Sequence, residues 1–381
     1  MTPEPIVCFA KDWDGHPTSN THVMRLLART RRVLWLESIA MRAPRPGSAR
    51  DLRRIGRRLR AAVGGPRNVE ADLWVASPLV LPLPHAAWAT QVNHRLLALT
   101  VRRLCARLGM PRFQVWTFLP TAGAYAAALG GTRLVYYCVD DWAHSPDHDG
   151  ARVAAAEADL CRAADVVFAT SSRLADAKRR LNPHTVHAPH GVDHAHFARA
   201  LDPVTPVAPA IAALRPPVLV VVGLLDWRLD RALLAAIADR RPDWTLALVG
   251  PVLADLGALA ARPNVHVLGP VPYAALPGVL RGCAVGLVPF VVTPYTRCID
   301  PVKLREYRSA GLPVVASDLS DVAGAAVAHG PEEFVAAVER ALAHDGPAAR
   351  ARRSAAMRDE TWEARVRRLE AVVDRPAEAA A

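Results

Sequence analysis

Lysine is nearly missing from this 381-residue chain: only Lys11, Lys178 and Lys303 accompany 44 arginines. The net charge of +11 therefore reflects an arginine bias, which makes it weaker grounds for an anionic partner than its size suggests. No apolar run approaches the roughly 18 residues of a membrane span. Residues 1–7 have neither a charged start nor a leader-like apolar stretch, so no secretory leader is expected. The cysteines, at 8, 105, 138, 161, 283 and 298, show neither close pairing nor zinc spacing. That excludes a disulfide-stapled scaffold and points to free thiols in a reducing cytoplasm. A GxGxxG dinucleotide fingerprint is absent, and no nucleic-acid motif or aromatic interleaving accompanies the arginines.

What is present is length and apolar content enough for two domains, with 51% hydrophobic residues. Apolar, β-rich runs alternate with helical patterns. Strands are expected at 6–10, 33–37, 73–76, 113–118, 134–139, 166–170 and 185–188, with helices at 21–29, 87–108 and 151–163 among them. Pro203, Pro206, Pro209, Pro216 and Pro217 then punctuate an Ala-rich stretch. It reads as a linker over 201–216. Strands resume at 218–222, 245–249, 265–268, 285–288 and 314–316. Alternation of this kind predicts an α/β protein of two doubly wound domains, 1–200 and 217–358. A last segment, 359–381, carries a helix over 361–373 that is a candidate to cross back to the first domain, and a frayed tail.

Residues 300–317 carry the most information. Asp300 suits a helix N-cap and Pro301 the first helical position. Gly311 suits the left-handed residue past the helix end, and Pro313 prevents continuation. The run 314–316 reads as a strand buried on both faces. Lys303 is out of place in the first turn, where the helix dipole opposes a cation by roughly 0.3–1 kcal/mol. A bound anion would reverse that penalty. Glu306 lies three residues on, on nearly the same face. A cation for phosphate and a carboxylate for hydroxyls, one turn apart, would grip a nucleotide sugar, although a plain surface ion pair has the same spacing.

Ligands of doubly wound sheets bind at the carboxyl ends of the strands. Gly223 turns the chain off the strand at 218–222, and Arg228 precedes the next helix, suited to a pyrophosphate. In the first half, Ser171 is a candidate helix cap. His187, His190, His194 and His196 crowd a Gly-centred loop whose spacing matches no common zinc site, so no metal is expected there. Asp12, Asp14 and His16 follow the first strand. The stretch 51–63 sets Leu52, Ile55, Leu59 and Val63 on one helical face and Arg53, Arg54, Arg57 and Arg58 around it. This is a pattern for an anionic membrane surface or for a solvated helix with its stripe in the core.

Asp165-Val-Val-Phe-Ala-Thr-Ser171, then His190-Gly-Val-Asp193 with Phe197, and Pro301-x-Lys303-x-x-Glu306-Tyr307-x-x-Ala310-Gly311-x-Pro313 form an ordered set. Together they resemble the signatures of GT-B glycosyltransferases of the glycosyltransferase group 1 superfamily, in particular bacterial exopolysaccharide and teichuronic-acid enzymes. The resemblance implies two Rossmann-like domains facing a cleft, with the acceptor on the N-terminal side; by position, Asp12, Asp14 and His16 after the first strand are a second candidate cluster there, and His190 is a candidate acceptor-side or cleft residue. It implies a nucleoside-diphosphate sugar on Gly223, Arg228, Lys303 and Glu306, with no cofactor or metal. It also implies a lipid-linked saccharide or polysaccharide acceptor, at the inner face of a membrane. His190 replaces the family's usual Asn, and Cys298 stands where many retaining members have a second glutamate. An inverting route needs a base to deprotonate the acceptor. Asp140, then Asp141, at the end of the strand at 134–139, are the candidates. The DxD pairs at Asp12/Asp14 and Asp147/Asp149 suit metal-dependent GT-A enzymes, a fold that leaves the second domain unexplained. Two rivals remain: a nucleotide-sugar epimerase or hydrolase on the same fold, and a non-catalytic subunit of a glycan-assembly complex.

Overall fold

The computed structural model describes residues 3–14, 18–37, 56, 65–81, 87–146 and 148–374. The chain divides into two compact units, Met1–Pro189 with Val366–Ala381, and His190–Arg365.

The first unit is built on eight strands. They are β1 (Ile6–Phe9), β2 (Val33–Leu36), β3 (Arg67–Glu70), β4 (Leu73–Ala76), β5 (Gln114–Thr117), β6 (Leu134–Cys138), β7 (Val166–Ala169) and β8 (Thr185–His187). Their order is β3-β4-β2-β1-β5-β6-β7-β8. All neighbours are parallel except β3 and β4. The central strands are buried on both faces, which is why they read as continuous apolar runs. β3 escapes that reading. Its Arg-Asn-Val-Glu sequence is polar and exposed, as an edge strand tolerates.

The second unit carries β9 (Val218–Val222), β10 (Thr245–Val249), β11 (Val265–Gly269), β12 (Val285–Val288), β13 (Val314–Ala316) and β14 (Ala326–Val327), all parallel. The order is β11-β10-β9-β12-β13-β14. Counted from β9 this is 3-2-1-4-5-6, the doubly wound arrangement whose ligand crevice opens where the order reverses, between β9 and β12. Apolar clusters cover both faces, one around Val220, Val279 and Tyr307 and the other around Leu234, Leu248 and Phe334. The proline-rich stretch 201–216 lies against this unit. The Ala208 amide donates to the Gly278 carbonyl at 3.0 Å, and Ile211 of the short helix Pro209–Ala212 is buried among Val279 and Leu280.

The terminal helix Trp362–Val373 enters the first unit. There the Arg31 guanidinium donates to Glu370 at 2.9 Å and to Asp374 at 2.7 and 3.1 Å. Among the described residues, no helix is long and apolar enough to cross a membrane.

Candidate functional site

The crevice of the second unit begins at two glycines. Gly223 and Gly250 end β9 and β10 with φ of +138° and +147°, where L side chains are strained. A Cβ on Gly250 would overlap the Gly223 carbonyl oxygen, so both turns need the missing side chain. A Cβ on Gly223 would stand 3.6 Å from Cε of Lys303. Residues 80 positions apart are thus adjacent at the end of β9.

The helix that brings Lys303 there spans Val302–Ser309. It starts one residue later than expected: Pro301 occupies the N-cap position, and no side chain caps the helix. Asp300 is engaged elsewhere. Its carboxylate accepts from the His190 amide at 2.7 Å and from the Arg305 guanidinium at 2.6 Å. The C-terminus is as the sequence predicts. Gly311 has φ +83°, its amide donates to Arg308 O, and the Leu312 amide donates to Tyr307 O, which is a Schellman closure. Tyr307 fixes the helix beneath the crevice. Its ring is buried against Gly286, and its hydroxyl accepts from the Val222 amide at 2.7 Å. Burial, and next to it the Glu306 charge, push the Tyr307 hydroxyl up, so it stays protonated.

Lys303 Nζ donates to Glu306 Oε2 at 2.6 Å. Glu306 is nearly buried, with 9% of its side chain exposed, against 32% for Lys303. Tyr273 lies within the electrostatic reach of the same carboxylate. Burial, then the charges of Glu306 and Asp193, raise its hydroxyl pKa. Its ring stacks on His196 at 4.5 Å. Sequence reasoning passed over Tyr273; its one signal was an aromatic just after the Gly269-Pro270 strand-end turn.

Arg228 lies in the loop after β9, where Asp226 holds it. Nε donates to Oδ1 at 2.9 Å and Nη2 to Oδ2 at 2.8 Å. That loop is joined to the end of β12 by Val291 N to Arg228 O and Asp230 N to Pro289 O, both 2.8 Å. Thr293 and Thr296 exchange amide-to-hydroxyl bonds at 2.8 and 3.1 Å, which orders the turn leading to Cys298. Cys298 is half-buried in the 3-10 turn Thr296–Cys298. The histidine-rich loop contains the short helix His194–Ala198, capped by Asp193. Its histidines disperse: His194 Nε2 bonds Ser354 O at 3.0 Å, and His196 Nε2 bonds Tyr273 O at 2.9 Å. The His190 ring lies 5.8 Å from that of Trp362.

In the first unit, Asp140 and Asp141 follow β6, and Asp12 follows β1, with β5 between the two strands. One intervening strand places those ends about 10 Å apart. Asp141 Oδ2 pairs with His144 Nδ1 at 2.8 Å, and Asp140 is half-buried. Beneath them Glu157 accepts from the Tyr136 hydroxyl at 2.5 Å and from Lys178 Nζ at 2.7 Å, all buried. Burial lowers the Lys11 pKa, and the Trp35 indole donates to the Lys11 carbonyl at 2.9 Å. Ser171 caps the helix Ser172–Arg179 through the Leu174 amide, as expected. His16 and Arg53, Arg54, Arg57 and Arg58 lie outside the described residues.

Residues 216–344 match the family described as Glycosyl transferases group 1. The chain is 24% identical to a protein of Bacillus subtilis (strain 168) provisionally named teichuronic acid biosynthesis glycosyltransferase TuaH, over 67% of this chain and 70% of that one. Among solved structures, sucrose-phosphate synthase from Thermosynechococcus elongatus aligns with a TM-score of 0.70 at 16% identity, covering 98% of each chain. Anabaena Alr3699/HepE in complex with UDP aligns at 0.68 and 15% identity, covering 98% of this chain and 100% of that one. A trehalose-6-phosphate protein from E. coli, bound with UDP-2-fluoro glucose, aligns at 0.68 and 14% identity, with the same coverage. These likenesses show the GT-B fold of two Rossmann-like domains.

Proposed function

We propose that this chain, whose residues 216–344 belong to the glycosyl transferases group 1 family, moves a sugar from a nucleoside-diphosphate donor to a lipid-linked saccharide or polysaccharide acceptor. Glycosyl transfer follows from the family; the substrates and the residue roles are our reading. The observation that carries the donor assignment is the Lys303–Glu306 pair, held at 2.6 Å beside Gly223 at the strand-order reversal. A diphosphate arriving at Gly223 takes the Lys303 ammonium as its counter-ion. Glu306 then turns its acceptor oxygens to the ribose hydroxyls. As the sugar's bond to the diphosphate breaks, negative charge grows on the leaving oxygen, and Lys303 stabilises it where it develops. Arg228, with its guanidinium planar on Asp226, is the second cation for that group.

Asp140 is our candidate base. It accepts the proton of the acceptor hydroxyl as that oxygen attacks the anomeric carbon. Asp141 is the lesser candidate, because it is already paired with His144. Asp12 and His16 remain acceptor-side candidates; His190, expected on the N-terminal side, belongs to the second unit, where its amide donates to Asp300, and remains a cleft candidate. The bound nucleotides of the Alr3699/HepE and E. coli structures support a uridine diphosphate sugar as the first donor to try. The TuaH relative, named for teichuronic acid biosynthesis, supports a saccharide acceptor of that kind; its approach at the cytoplasmic face of the membrane is part of the proposal. The test is a thermal-shift panel of UDP-, GDP-, ADP- and TDP-sugars, since a ligand that binds only the folded chain must raise its melting temperature. A shift with one class of nucleotide sugar supports the reading. No shift with any of them opposes it. Nucleotide release without an acceptor would favour the hydrolase.

A further inference from the structure

The helix Ala87–Arg107 in the first unit has an unusual outer face. Its inner face is ordinary: Ala89, Leu97, Val101, Leu104 and Cys105 are buried. Asn93, also inward, receives the Leu81 amide at 2.7 Å and donates to the Leu81 carbonyl at 3.0 Å. Opposite them, where polar residues belong, stand Trp88 at 59% exposure, Val92 at 38% and Leu99 at 50%. At about 100° per residue these three fall within about 40° of one another, and Ala106 continues the line. Arg95 and Arg102 flank the stripe on one side and Arg103 on the other, all exposed. The helix has no acidic residue along its 21 positions. From Trp88 to Ala106 the stripe runs about 27 Å at 1.5 Å per residue.

We infer that this face is a docking surface for an anionic lipid bilayer. The charge pattern selects that occupant. A narrow apolar stripe with Trp at one end inserts between headgroups, and arginines on both flanks reach up to phosphates while their stems lie along the acyl boundary. With no carboxylate on the helix, nothing on it repels an anionic surface, and each arginine adds to the attraction. None of these residues is assigned a role in transfer. The inference deepens the lipid-linked-acceptor reading and rests on it, yet the binding it claims is measured without any transfer reaction.

The experiment is co-sedimentation of the full chain with vesicles of phosphatidylcholine containing phosphatidylglycerol, against phosphatidylcholine alone. The wild type is expected to bind the anionic vesicles and to lose them in high salt. Arg95→Gln with Arg102→Gln and Arg103→Gln is expected to weaken that binding roughly a hundredfold. Trp88→Ser with Leu99→Ser is expected to weaken it at least tenfold, because the apolar half of the contact is lost. These positions are exposed, so the variants keep the wild-type melting temperature and nucleotide-sugar binding. Vesicle binding unchanged in both variants overturns the proposal, as does absence of binding by the wild type. So does a wild-type dimer that the apolar variant converts to monomer, which would make the face a contact between two copies. If vesicle binding depends on these residues but no nucleotide sugar binds, the docking surface stands and the transferase reading fails.

Discussion

Lys303 and Glu306 neutralise each other across 2.6 Å, one turn apart on a helix anchored under β9 by the Tyr307 hydroxyl. Lys303 is the second residue of that helix, where the dipole opposes a cation. The pair offsets the penalty until a diphosphate replaces the carboxylate as partner. Lys303→Met is therefore expected to weaken a nucleoside diphosphate much more than the bare nucleoside. Calorimetric titration of UDP and of uridine separates the two. Equal losses would assign Lys303 a structural role only.

Gly250→Ala probes the crevice independently of charge. The new Cβ would overlap the Gly223 carbonyl, and φ of +147° is strained for any L side chain. Strain of this kind costs about 1–3 kcal/mol, more where backbone must move. Denaturant unfolding should show that loss, together with weaker donor binding. A variant as stable as wild type would contradict the close approach of the two turns.

Asp140→Asn removes the proposed base, which belongs to the first unit. Donor affinity is expected to hold while turnover falls about 10²–10⁴-fold, the usual contribution of general base catalysis. Asp141→Asn, which removes the charge from the His144 pair, is expected to have the smaller effect. Full activity in Asp140→Asn would transfer the role to another residue, with Asp12 next.

Acid should loosen the terminal helix. Burial pushes the Asp374 carboxyl up, but the Arg31 hydrogen bonds and charge outweigh it and hold the carboxyl below its usual range. A depressed carboxyl contributes stability above its unfolded pKa of about 3.9, and that stability is lost as pH falls through the folded value. Asp374→Asn is expected to destabilise the chain near neutrality and to flatten the pH dependence below about pH 4. Parallel acid-unfolding curves for variant and wild type would contradict this.

Much of the fold was legible because buried parallel strands are written as apolar runs with turn formers behind them. Thirteen residues of β9, β10 and β13 needed nothing more. β3 and β14 were not legible. One is polar and exposed, and the other is two exposed residues held by pairing with β13. Local chemistry gave the Gly311 stop but misplaced Asp300, because its partners His190 and Arg305 include one 110 residues away. The same limit hid Tyr273, whose stacking on His196 joins residues 77 positions apart. Lys303 and Glu306 could be paired from spacing alone, whereas their closeness to Gly223 could not.

Calorimetric titration of the tightest-binding nucleotide sugar into wild type and Glu306→Ala tests the donor site most directly. Loss of hydrogen bonds to a charged carboxylate predicts weaker binding by roughly 1.5–3 kcal/mol, about ten- to more than a hundredfold in Kd, with the fold intact. Unchanged affinity in Glu306→Ala would contradict the assignment of this helix to the donor.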